Sequence, residues 1–151
     1  MDKKKSIEAL QAYATGLAAQ SLQHKVQSKI FASQGYSKLG EKYAEHAEEE
    51  MGWVDKFIDR ILDLGGCPKV EAAPAMDVYG DPLEYIKADY AVSVREVPIL
   101  MQLTETFSDD FKTYDILRDY ALDEEEDMYW SEQQLDLIEK IGLQNWLTKQ
   151  L

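Results

Sequence analysis

The sequence predicts an all-α protein: one antiparallel bundle of four long helices with a short fifth helix at its C-terminal end. Three observations point there. Apolar and small residues recur at spacings of three and four through four long segments, no stretch alternates in the strand period, and only one connection is long. A chain of 151 residues with 45% hydrophobic content suits one buried core, so residues 1–151 are read as a single domain.

The first helix is predicted over roughly 5–34, its inward stripe passing Ile7, Leu10, Ala14, Leu17 and Ser21, with Gly35 ending it. The second runs from about Ser37 to Leu64 through Leu39, Tyr43, Ala47, Glu50, Trp53/Val54, Phe57, Ile58 and Ile61, and Gly65-Gly66 with Pro68 closes it. Residues 65–81, "GGCPKVEAAPAMDVYGD", have no period and hold two of the four prolines; this is a crossover long enough to travel the length of a bundle. Asp81-Pro82 reads as an N-cap and first helical residue. The third helix is predicted to continue to about Lys112 through Ile86, Tyr90, Ser93, Val97, Leu100, Thr104, Phe107 and Phe111, with a kink at Pro98. The fourth starts near Thr113, turns Ile116, Tyr120, Glu124, Asp127, Ser131 and Ile138 inward, and stops at Gly142. "LQNWLTKQL" remains for the fifth helix, and its apolar residues are expected to need other subunits to cover them.

Acidic residues outnumber basic ones 29 to 16, a net charge of −13, which speaks against nucleic acid as a partner. A solvated acidic surface and a cation-attracting one remain open. No apolar run approaches the roughly 18 residues of a membrane helix, and no signal-peptide core is present. The single cysteine, Cys67, has no intrachain disulfide partner, so a reducing cytosol is the expected compartment.

Two carboxylates break the apolar stripes. Glu50 in "EEEMGW" and Glu124 in "DEEEDMYW" both face the expected core, where a carboxylate must be paired, protonated or bound to metal. Di-iron bundles take a Glu from each of two helices and Glu-x-x-His from each of the other two. Here the corresponding pairs are Glu50-x-x-Trp53 and Glu124-x-x-Asp127, with no histidine in either. Glu50 could instead meet Lys25 at the edge of its stripe, and His24 falls on the inward stripe of the first helix.

The stretch "EEEMGWVDKFIDRILDLGGCP" and the tail "LDLIEKIGLQNWL" resemble the bacterioferritins, the haem-binding branch of the ferritins, and the resemblance runs from about Ser6 to Gly65 and from Asp81 to the end. It implies a ferritin-like fold, iron as the stored cargo, and a hollow shell of twenty-four subunits. The family's di-iron ligands fall on Leu17, Glu50, Trp53, Ser93, Glu124 and Asp127, so the resemblance implies a degenerate ferroxidase centre. It also implies a role for Met51, which stands where the family's haem-ligating methionine does, one sulfur from each chain of a two-fold dimer. Lys25 takes the place of an aromatic ring against that haem, and Met51 as plain interface packing is the alternative. Glu45, His46 and Glu49 resemble the family's inner-surface iron site, with a solvated acidic face as the alternative.

Three functions follow. One is a haem-bearing, ferroxidase-deficient subunit of an iron-storage cage, co-assembling with a ferroxidase-competent subunit. Another is a di-metal oxidase using Glu50, Glu124, Asp127 and His24. The third is a metal-free helical binding or structural protein.

Overall fold

The computed structural model describes residues 1–151 and contains helices only. They are α1 (Lys3–Ser33), α2 (Ser37–Asp63), α3 (Pro82–Glu105), α4 (Phe111–Ile141) and the short α5 (Leu143–Thr148). Helices α1 and α2 pair through a short turn in which Gly35 takes φ 91°, a conformation open to glycine. Two buried α1 serines, Ser21 and Ser28, bond the carbonyls of Ala47 and Gly40 on α2 at 2.7 and 2.6 Å. A Cβ at Gly40 would lie 3.0 Å from the Ser28 carbonyl, so this close approach needs glycine.

The crossover has no regular structure, yet its backbone is held. Gln11 both donates to the Lys69 carbonyl (3.0 Å) and accepts from the Lys69 N–H (2.8 Å). Gln27 does the same for Tyr79, while Gln23 and Gln34 donate to the carbonyls of Asp77 and Gly80. The glutamines climb α1 in the order that their partners climb the strap. The crossover therefore runs the length of α1 and delivers the chain to the start of α3, which makes α2 and α3 parallel.

Helix α3 ends earlier than its stripe predicts. It stops at Glu105, and Asp110 caps α4 by accepting from the Thr113 N–H. Asp110, 2% exposed, also accepts from Ser6 (2.8 Å) and Arg60 (2.6 Å), drawing α1 and α2 onto the same corner. Phe107 is buried in the turn, but Phe111 is 83% exposed and belongs to no stripe. Helix α3 is continuous across Pro98; both Pro98 and Val94, whose carbonyl loses its helical partner there, lie on the exposed side.

The tail expectation is also corrected. Trp146 is fully buried within its own chain, bonds Gln134 at 3.0 Å, and packs among Phe31, Tyr43, Tyr85 and Ile138. The Gln150 carbonyl accepts from the Lys38 N–H at 2.9 Å. Helix α5 thus caps its own bundle, although Leu151 remains exposed.

The core falls into two apolar clusters. One joins Leu10, Leu17, Phe57, Leu100 and Leu117 with their neighbours, and the other joins Phe31, Tyr43, Tyr85, Ile86 and Trp146. Between the two clusters every long helix places polar residues: Ser21 and His24, His46 and Glu50, Asp89 and Ser93, Glu124 and Asp127. This polar layer at mid-bundle is where chemistry is to be sought.

Candidate functional site

Helix α2 carries Glu50 into the layer because its stripe advances by three and four from Tyr43 through Ala47 to Glu50 and Val54, all buried. The partner of Glu50 is His24 on α1, whose Nδ1 lies 2.5 Å from Glu50 Oε1. Lys25 is exposed and is not that partner. The other ring nitrogen, Nε2, lies 3.0 Å from Asp89 Oδ1 on α3. Burial acts to lower the His24 pKa, but the flanking Asp89 and Glu50 outweigh it and raise it to about 10. Each ring nitrogen of His24 thus faces a carboxylate oxygen, the arrangement that the two N–H groups of an imidazolium satisfy, while burial acts to push the Glu50 carboxyl up.

The residues at the expected di-iron positions diverge. Leu17 is buried in the lower apolar cluster. Trp53 stacks near Tyr120 (5.8 Å between centroids) and donates its indole N–H to Asp123 Oδ2 at 2.9 Å. Ser93 and Glu124 line a cleft of about 330 Å3 between α1 and α3, together with Leu17, Gln20, Glu96 and Tyr120. Burial, aided by the nearby Glu50 and Asp127 charges, pushes the Glu124 carboxyl up to about 9, so it is neutral at ordinary pH. A di-iron centre needs a ring of anionic or imidazole donors. A leucine, a donor-only indole already bonded, a short hydroxyl and a carboxylate occupied by His24 do not fit one.

Asp127 belongs elsewhere. It reaches the seam between α2 and α4, where one carboxylate oxygen each from Glu49, Asp123 and Asp127 lies within 4.8 Å of the others. Burial and the charges of Asp123 and Glu49 push the Asp127 carboxyl up to about 8, and burial followed by Asp123 and Glu45 pushes Glu49 up as well. His46 borders the group, its Nε2 3.8 Å from Asp127 Oδ1. That nitrogen is buried and has no hydrogen-bond partner. Burial and the His24 charge lower the His46 pKa to about 4, which leaves a neutral ring with a lone pair to offer.

The expected cluster of Glu45, His46 and Glu49 is thereby divided. Glu45 and Glu49 are exposed one turn apart, while His46 is 2% exposed and faces the core. Adjacent helical residues point about 100° apart, which separates Glu45 from His46. Met51 is 43% exposed, off the core as expected, and lines none of the larger cavities.

Asp89 and Asp123 were not singled out from sequence. Asp89 lies three residues from Ile86 and four from Ser93, on the stripe itself, and that spacing was the available signal. Asp123 precedes Glu124 and gave none.

Against known proteins, the family model for the ferritin-like domain matches residues 7–141. The chain belongs to the ferritin family. It is 34% identical over 149 residues to the bacterial ferritin of Neisseria meningitidis serogroup B, covering 96% of each chain. The same identity and coverage hold for the bacterial ferritin of Pseudomonas aeruginosa. The bacterioferritin of Rhodobacter capsulatus is 26% identical over 144 residues, 94% of this chain and 89% of that one. The four long helices and short C-terminal helix of a ferritin-like bundle are thus present here.

Proposed function

We propose that this ferritin-family chain is a subunit of an iron-storage shell that holds incoming iron at the α2/α4 seam and has no working ferroxidase centre of its own. The observation that carries this is the group Glu49, Asp123 and Asp127, bordered by the unpaired Nε2 of His46. Carboxylate oxygens and one imidazole suit a ferrous ion, whose charge would draw the protons off the raised Asp127 and Glu49 carboxyls as it binds. Iron is cargo here. Its oxidation is assigned to a co-assembled, ferroxidase-competent subunit, since Leu17, Trp53 and Ser93 leave this chain short of ligands.

The test is metal binding and native mass together. Cobalt(II) should bind the metal-free protein near one ion per chain and bind far more weakly after Asp127→Asn. The native mass should be that of a large shell. A monomer without Asp127-dependent metal binding would sink the proposal.

Haem enters at a different surface. The exposed thioether of Met51 is a soft ligand suited to haem iron, and Leu22 and Val26 on the paired helix are exposed as well. One chain supplies half of such a pocket, and the matching Met51 of a second copy would complete it.

A further inference from the structure

Glu50 is 2% exposed and Asp89, its side chain 15% exposed, stands across His24 from it on α3, so the centre of the layer holds one buried and one partly buried carboxylate. Such a pair needs a cation between its members, as carboxylate-bridged metal centres supply. His24 fills that space, one ring nitrogen facing each carboxylate at 2.5 and 3.0 Å. An ionised carboxylate only accepts, and imidazole donates from both nitrogens only as imidazolium. The ring is also fixed in place: Tyr43, His46 and Tyr85 stand 5.5, 5.9 and 6.3 Å from it, centroid to centroid.

We propose that His24 is a built-in substitute for a metal ion: its ring joins α1, α2 and α3 through Glu50 and Asp89 and thereby excludes divalent cations from the bundle centre. His24 has this role only if iron is held at the α2/α4 seam, and in that respect the proposal rests on the function proposed above. Two features follow from the geometry. One oxygen of Glu50, Oε1, is committed to His24 before any iron arrives, and the other, Oε2, is buried without a hydrogen-bond partner. The neighbouring His46 feels the same charge, which adds to burial in lowering its pKa to about 4.

Cobalt(II) titration of the metal-free, full-length protein separates the two ideas. In the background Asp123→Asn with Asp127→Asn, the seam is disabled, and the chain with His24 intact should bind no cobalt at micromolar concentration. Adding His24→Ala should create one site per chain with visible d–d absorption, and a further Glu50→Gln should abolish it. Cobalt binding through Glu50 while His24 is present would overturn the proposal, as would a folded His24→Ala chain that gains no ion. Loss of cobalt from the single Asp127→Asn variant reports on the seam alone. A second measurement needs no variant, since the chain has only two histidines. Nitrogen-15 solid-state spectra at neutral pH should show one doubly protonated ring and one neutral ring. Two neutral rings would overturn the proposal even if His24→Ala failed to fold.

Discussion

Trp53 of α2 donates its indole N–H to Asp123 of α4 at 2.9 Å, and the Lys56 ammonium lies 4.2 Å over the same ring. A donor and a cation thus stand where the resemblance to bacterioferritins implies a metal ligand. The indole ties α2 to α4. Trp53→Phe should keep the stacking on Tyr120 but lose the bond, costing about 0.5–1.5 kcal/mol. The denaturant midpoint should fall with an unchanged slope. Iron oxidation by the isolated chain should stay slow, and a marked rise would show that the indole was blocking a competent centre.

The Trp146 ring is the largest fully buried side chain. Trp146→Ala should destabilise the fold by about 3–5 kcal/mol and release the tail to proteases. Thermal unfolding and limited proteolysis check both. A tail that stays protected in the variant would mean that neighbouring subunits, not its own bundle, hold it.

The His24 clasp sets a pH window. Its folded pKa, about 10, is above the ordinary 6.5. The stability it supplies is fully present below the unfolded value and is lost as pH rises through the folded one. Breaking the buried pair by His24→Gln should cost about 3–5 kcal/mol at mildly acid pH. The gap between wild type and variant should narrow steadily toward pH values near 10. Unfolding curves across that range test this, and a gap that widened with pH would contradict an imidazolium. A strong chelator should leave the gap between wild type and variant unmoved.

Met51→Leu keeps volume and apolarity, so assembly should survive at a cost below about 1.5 kcal/mol. It has no sulfur to bind iron, so reconstitution with haem should give the visible bands of bis-methionine ligation in wild type only. Equal haem uptake by both proteins would leave Met51 as interface packing.

Much of the fold was legible because burial imposes its period on long helices. The stripe from Leu39 to Ile61 is buried almost as read. The α3/α4 junction was not legible, since Phe107 and Phe111 keep the helical spacing through the turn that separates the helices. Its signal was Asp110 three residues before Thr113, an N-cap in the middle of an apparent run. In the centre, the spacing placed Glu50 and Glu124 on inward stripes, and the structure buries the first and partly buries the second. The sequence did not reveal that Glu50 meets His24 or that Trp53 meets Asp123, contacts spanning 26 and 70 residues. Which carboxylate answers which cation is decided by helix rotation and depth, and no local spacing encodes either.

The polar layer separates two unlike apolar blocks, and this fixes how far each helix can slide along its neighbours. A helix packed only by aliphatic side chains can slip one turn, about 5.4 Å, and find similar contacts again. Here such a slip of α1 would pull His24 away and strand Glu50 and Asp89 without a counter-charge, so the observed alignment is the one that pairs both carboxylates. The layer gives up some hydrophobic contact and works like the teeth of a key. A closed shell has a particular use for this, because every copy must present the same outer faces at the same heights, and an error of one turn in a single subunit would keep the shell from closing.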